Sequence, residues 1–210
     1  MQTPLMQYLK EATRPNHEDA ESQPFQAALV NGTLPFETYC QYLIQLHALH
    51  EPIERKLAEN AANPQIAAVM KPDYNQALFI KNDLKALNVP ISSSPVLESV
   101  RKFVETQIFS SNPESCLGVV YVLLGSKHGA KFIAHKVKEA YSLKENAGYT
   151  YFNPYGENFR PIWQQFVSSM NEAQMSDASR EAILEASTLT FDVFGAIGAD
   201  LWRASAQVRA

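Results

Sequence analysis

The segment LKEATRPNHEDAES, residues 9–22, carries four polar side chains that could bind a ligand together: Lys10, Arg14, His17 and Glu21. Their spacings of four, three and four residues place them on one face of an α-helix. An imidazole can bind iron through one ring nitrogen, and a carboxylate one turn away can accept a hydrogen bond from the other nitrogen. The two cations could pair with carboxylates of a planar ligand.

The same spacing is also typical of a solvent-exposed amphipathic helix with an ordinary histidine–glutamate pair four residues apart. The spacing alone therefore leaves two interpretations open, a ligand-binding face and a solvated face.

A second candidate is the apolar segment GVVYVLLGSKHGAKFIA, which carries Gly118, Gly125 and Gly129. A glycine inside a helix costs about 1 kcal/mol relative to alanine, so three of them in one segment need an explanation. Their spacings of seven and four residues predict a shared face. Such a face lets either a neighbouring helix or a planar cofactor lie directly against the backbone.

A third candidate is HALHEPIE, where four side chains capable of binding metal share one helix face: His47, His50, Glu51 and Glu54. Helical bundles build di-iron sites from Glu-x-x-His motifs on paired helices. Here the order is reversed, Pro52 disturbs the turn, and no second segment carries a matching pair. A solvated or partly buried polar face is the other interpretation.

The composition limits the class of protein. The chain has 210 residues, 46% of them hydrophobic, which is enough apolar mass for a substantial core. A net charge of -4 disfavours a nucleic-acid-binding protein. The two cysteines, Cys40 and Cys116, lie far apart in apolar segments, so we expect a reducing cytoplasm. We expect no signal peptide and no membrane span, because no apolar run approaches the ~20 residues that a span needs.

The helical patterning, without strand alternation, predicts one all-α domain over residues 1–210 with about seven or eight helices. The first helix is predicted from about Pro4 to the low twenties, with Pro15 either kinking it or restarting it with Thr13 as N-cap. Further helices are predicted at about 36–59, 72–87, 94–109, 112–143, 157–170 and 176–204.

Together these segments resemble the biliverdin-forming heme oxygenase family, and its bacterial type in particular. LKEATRPNHEDAE is similar to the family's proximal helix, and YVLLGSKHGAKFIA is similar to its distal helix. The remaining similar segments follow in the family's order: HALHEPIER, ALFIKNDL, YFNPYGENFRPIWQQF and EAILEASTLTFDVF. The resemblance covers most of the chain and implies the all-α heme oxygenase fold.

The resemblance implies that His17 is the proximal iron ligand and Glu21 its orienting partner. It further implies that Lys10, Arg14 and Arg160 face the heme propionates and that Tyr121 belongs to the pocket wall. On the distal helix it implies catalytic positions at Gly125, Ser126, His128 and Gly129. Many family members have an aspartate where Ser126 stands, and His128 could donate to bound oxygen or bind iron as a sixth ligand.

The implied activity is O2-dependent cleavage of heme, which is both cofactor and substrate, to biliverdin, carbon monoxide and ferrous iron. Because the chain has no flavin or nicotinamide motif, electrons are expected from a separate reductase or ferredoxin. Three alternatives stay open. One is a non-degrading heme-binding protein with His17 and His128 as axial ligands. Another is a di-iron oxidase built on HALHEPIE, and the last is a thiaminase-like hydrolase with a cysteine nucleophile.

Overall fold

The computed structural model describes residues 3–208, and within them it contains helices and no β-strand. The α-helices of this range are α1 (Leu5–Ala12), α2 (Arg14–Ser22), α3 (Pro24–Asn31), α4 (Phe36–Glu59), α5 (Pro64–Val69), α6 (Ala77–Ala86), α7 (Glu98–Phe109), α8 (Ser115–Gly125), α9 (Lys127–Ala140), α10 (Phe159–Glu172) and α11 (Asp177–Val208). Short 3-10 turns lie at Pro72–Tyr74, Ile91–Ser93, Thr150–Phe152 and Gly156–Asn158.

The all-α prediction is confirmed, but the prediction of seven or eight helices is wrong, because the described range holds eleven. One reason is the restart near Pro15, which separates α1 from α2 at Thr13. Thr13 stands at the predicted N-cap position. Its hydroxyl does not cap α2, however, but donates to the Leu9 carbonyl of α1 at 2.8 Å.

Two short helices were not predicted. α3 begins at Pro24 and ends at Gly32, whose positive φ of 67° lets its N–H reach the last carbonyls of the helix. α5 is capped by Asn63, whose side-chain oxygen accepts from two backbone N–H groups. With eight and six residues, these helices are too short for hydrophobic periodicity to stand out.

α11 lies at the centre of the molecule and packs against α1, α2, α3, α4, α7 and α8. Its contact with the almost wholly buried α8 is close at Gly118, where a Cβ atom would lie 2.1 Å from the Ile183 carbonyl oxygen. Gly118 therefore serves helix packing, the first of the two interpretations of the glycine segment.

By length and composition alone, α11 over Asp177–Gln207 could also cross a membrane. The core helix of a soluble protein passes the same test, so this one helix is weak evidence for a membrane span.

The buried carboxylate of Asp83 on α6 fixes the loop before α10. It accepts hydrogen bonds from the backbone N–H groups of Gly148, Thr150 and Tyr151 at 2.8–3.1 Å, and from the Thr150 hydroxyl. Burial raises the pKa of Asp83, and these donors lower it. The anchor holds Tyr151 and Phe152 against the rest of the fold.

Candidate functional site

A cavity of about 770 Å³ lies between the α1–α2 segment, α3, the α8–α9 junction and α11. This volume falls in the ~300–1,000 Å³ range of pockets that bind small molecules and cofactors. Much of the wall is aromatic: Phe25, Tyr42, Tyr121, Tyr151, Phe152, Trp163, Phe191 and Phe194. Most of the predicted site residues also line it, namely Lys10, Arg14, His17, Glu21, Tyr121, Gly125, Ser126, His128 and Gly129.

His17 on α2 is oriented by two neighbours. Its Nδ1 lies 3.5 Å from a carboxylate oxygen of Glu21, and its ring packs edge-on against Phe191 at 5.6 Å between centroids. A proton on Nδ1 facing Glu21 leaves the lone pair of Nε2 free. With its side chain 54% exposed, His17 can bind a metal through Nε2.

Lys10 and Arg14 line the same cavity and are exposed. Within residues 3–208 neither is recorded in an ion pair, so both charges can meet carboxylates of a ligand. Arg160 differs from them. It is exposed on α10, and it is not among the residues that line the cavity.

The two glycines of the α8–α9 junction both line the cavity, but only Gly129 leaves open space beside it. A Cβ atom added to Gly129 would meet no atom within 4 Å, and one added to Gly125 would lie 3.4 Å from the Trp163 ring. Gly129 therefore fits the second interpretation, a close approach of something flat, whereas Gly125 faces the Trp163 ring and Gly118 packs on α11.

Two polar side chains flank this part of the wall. The Ser126 hydroxyl donates to the Leu123 carbonyl at 2.8 Å, so it offers the cavity its lone pairs. The His128 ring packs edge-on against Phe159 and Trp163, at 4.8 and 5.0 Å between centroids. Partial burial lowers the pKa of His128, so its imidazole is neutral at pH 7.

Tyr121 lines the cavity, with its ring 6.3 Å from that of Trp163. Burial raises the pKa of its phenol. The cavity is also lined by three residues that were not predicted to belong to the site: Lys127, Tyr151 and Phe191. A sequence signal exists for Phe191, because Phe191, Phe194 and Gly198 share one helix face and all three line the cavity. Tyr151 reaches the wall only through its tertiary anchor on Asp83.

The HALHEPIE segment serves the fold. The buried His50 has Nε2 3.1 Å from the Tyr151 hydroxyl and Nδ1 3.4 Å from Glu54, whose carboxylate accepts from the first N–H groups of α6. No group of three or more His, Cys, Asp and Glu side chains in the described part of the chain could hold a metal ion. The di-iron alternative therefore has no site there.

The alternative of a hydrolase with a cysteine nucleophile also finds no support at the cavity. Burial raises the pKa of Cys40 to about 11 and also raises the pKa of Cys116. Neither thiol lines the cavity, and a thiol with a raised pKa is a poor nucleophile at pH 7.

Comparisons with known proteins agree with this geometry. The heme oxygenase family model matches residues 3–200. Heme oxygenase 1 of Gallus gallus is 26% identical over 199 residues, which cover 91% of this chain and 67% of that protein. The structure of heme oxygenase-2 from Synechocystis, solved with heme and NO, has a TM-score of 0.90 at 21% identity, covering 98% of this chain and 88% of that one. Heme oxygenase from Leptospira interrogans has a TM-score of 0.83 at 21% identity, covering 94% and 100%.

The residues present fit a heme group. One imidazole has a free Nε2, two unpaired cations stand two turns and one turn before it, and Gly129 leaves open space beside an aromatic wall. The match of the family model to residues 3–200 and the side chains around the cavity lead to the same conclusion. The chain belongs to the heme oxygenase family, and it is an oxidoreductase whose prosthetic group and substrate is heme.

Proposed function

We propose that this protein binds one heme in the cavity and cleaves it, with O2 and external electrons, to biliverdin, carbon monoxide and ferrous iron. One observation carries the proposal. The His17–Glu21 pair of α2 borders the same cavity of about 770 Å³ as Gly125 and Gly129 of the α8–α9 junction.

The α2 side of the cavity would bind and orient the cofactor. His17 would hold the iron through Nε2, while Glu21 keeps the other ring proton in place. Lys10 and Arg14 would bind the propionates, because both are free of carboxylate partners in the described structure. Propionate binding is not proposed for Arg160, which lies outside the cavity wall.

The α8–α9 side would control access to the reacting edge. When bound, heme supplies both the redox centre and the carbon framework that is oxidised. Gly129 leaves room for the ring beside the backbone of α9, and that backbone would limit the space left for other ligands on this side. Ser126 can accept a hydrogen bond from an ordered water, and the neutral His128 can donate one.

Electrons would come from a separate protein. The 210 residues contain no G-x-G-x-x-G fingerprint, which is the usual sequence sign of a bound dinucleotide. A reductase or a ferredoxin is therefore the proposed donor.

The test is optical. One equivalent of hemin is added to the purified protein, followed by ascorbate and catalase in air. We expect a Soret band that forms and then decays into the broad red absorption of a bilin. His17→Ala should lose the ligated Soret band, whereas Arg160→Ala should behave like the wild type because Arg160 lies outside the wall. No Soret band in the wild type would contradict heme binding in this cavity.

A second candidate, a heme-binding protein that does not degrade heme, is favoured by one observation. His128 lines the same cavity as His17 and has a neutral imidazole that could serve as a second axial ligand. This candidate predicts a Soret band that persists under ascorbate, and a change to a five-coordinate or water-bound spectrum in His128→Ala. Rapid bilin formation in the wild type would exclude it.

A further inference from the structure

Two lysines of this protein are buried, and their surroundings differ sharply. The Lys56 side chain, 7% exposed, donates to the backbone carbonyls of Gln107, Ile108 and Ser110 at 2.5–3.1 Å, where it caps the end of α7. Lys127 is 5% exposed and makes no recorded hydrogen bond or ion pair within residues 3–208. Its Nζ instead lies 3.3 Å from the centroid of the Tyr151 ring.

The surroundings of Lys127 oppose a positive charge. Burial lowers the pKa of its amine well below the usual value, and the carboxylate of Asp83 offsets this only in part. That carboxylate already accepts four hydrogen bonds from the 148–151 loop. Among the residues that the structure describes, no protein group accepts a hydrogen bond from this amine, so its donors are left to whatever occupies the cavity that it lines.

The position of Lys127 indicates what could accept hydrogen bonds from its amine. Lys127 and Tyr151 both line the 770 Å³ cavity, and Lys127 stands between Ser126 and His128. It thus belongs to the wall that carries the two glycines of the α8–α9 junction, whereas His17 comes from α2. A small anion held beside that wall would give the amine the acceptor that the protein does not provide.

We propose that Lys127 is an anion-binding residue of the cavity, donating to a small anionic ligand held between the heme and the α8–α9 junction. The inference rests on the proposed function, since the heme is what would hold such a ligand there. It adds Lys127 to Ser126 and His128, the polar residues of this wall that the resemblance implies to be catalytic.

The test compares anionic and neutral ligands of the hemin complex. Azide affinity is measured for the ferric complex and carbon monoxide affinity for the ferrous complex, in the wild type and in Lys127→Met. We expect azide to bind at least about tenfold more weakly to the variant, because a charge-assisted hydrogen bond is lost. Carbon monoxide, which is neutral, should bind within about twofold of the wild type if the pocket is otherwise intact.

Lys131→Met is the matched control. Lys131 lies one turn further along α9, is 60% exposed and pairs with Glu157, so its replacement makes the same substitution outside the cavity. Azide affinity should not change in this variant. An unchanged azide affinity in a Lys127→Met complex with a normal Soret band overturns the inference. If azide affinity falls in His128→Ala but not in Lys127→Met, the anion-binding role belongs to His128 and the inference is overturned. If the wild type shows no Soret band with hemin, it is the proposed function that fails, because no heme is bound.

A second measurement needs no heme. If Lys127 serves a ligand rather than the fold, Lys127→Met should raise the melting temperature of the ligand-free protein, because a poorly hydrated amine without a protein acceptor is replaced by an apolar side chain. Lys56→Met should lower it, because three carbonyls lose their donor. A lower melting temperature for Lys127→Met would mean that the contact with Tyr151 supports the fold, and it would overturn the inference.

Discussion

Gly129 is a position where a side chain would affect ligand binding and not folding. Because an added Cβ meets no atom within 4 Å, Gly129→Leu should leave the ligand-free protein as stable as the wild type, or more stable by up to about 1 kcal/mol from helix propensity. The same side chain would occupy the space proposed for the heme. We expect hemin affinity to fall at least about tenfold, measured by hemin titration beside urea unfolding. Wild-type hemin affinity in Gly129→Leu would place the heme elsewhere.

His50 should make stability depend on pH. Burial lowers its pKa below the usual 6.5, an effect that Lys127 and His47 reinforce and Glu54 opposes. The unfolded chain then binds the proton more readily than the folded chain, so stability is full above about pH 6.5 and is lost as the pH falls towards the folded pKa. One such group changes the free energy of unfolding by at most about 1.4 kcal/mol per pH unit.

The check is urea unfolding between pH 7 and pH 5. His50→Gln should be less stable at pH 7, since Tyr151 and Glu54 lose their partner, but its stability should fall less steeply with acid. His135→Gln, on the exposed face of α9, should keep the wild-type slope. Equal slopes for all three proteins would show that His50 does not titrate on unfolding in this range.

At the scale of elements, the contact between α8 and α11 depends on Gly118. A Cβ there would lie 2.1 Å from a backbone oxygen of α11, and backbone cannot move aside as a flexible side chain can. Gly118→Ala should therefore destabilise the fold by about 2–3 kcal/mol, the usual cost of overpacking a core. Gly195→Ala, at an α11 position where a Cβ meets nothing within 4 Å, is the control and should be neutral or slightly stabilising.

Urea unfolding of both variants checks this prediction. If Gly118→Ala and Gly195→Ala unfold at the same urea concentration, α8 and α11 must be able to separate locally at low cost. The close contact at Gly118 would then not determine stability.

The helix boundaries show what local sequence signals can and cannot predict. The break between α1 and α2 was predicted because Pro15 acts on the turn just before it. The bend at Ser126 was not, since Ser126 itself keeps right-handed helical angles, with φ of -57° and ψ of -20°. A small change of direction at such a residue is decided by packing on other helices, which periodicity does not report.

The candidate site also contains residues that local sequence signals can predict and residues that they cannot. His17 and Glu21 were predicted together because one turn of a single helix joins them. Lys127 and Tyr151 are 24 positions apart and meet only because Asp83 fixes the loop that carries Tyr151. Arg160 was assigned by resemblance alone, and the fold leaves it outside the cavity wall.

For the whole molecule, the cavity joins elements that are distant in sequence, since α2, α3, the α8–α9 junction and α11 all border it. A ligand that contacts all of them stabilises the folded state, by about 2.7 kcal/mol at a free concentration of 100 Kd. We expect hemin to raise the melting temperature, and metal-free protoporphyrin, which lacks the iron for His17, to raise it less. Equal effects of the two porphyrins would contradict iron ligation.

The helix that carries His17 is itself weakly held. α2 has no buried residue, whereas the neighbouring α1 buries Leu5, Met6 and Leu9. Opening α2 therefore breaks no core packing, and its local opening should cost far less than unfolding the whole molecule. We therefore expect the cavity to open on its α2 side, where a bulky ligand could enter and a rigid product could leave while α8 and α11 stay together. Backbone amides of α2 should exchange with deuterium much faster than those of α8, and hemin should slow them.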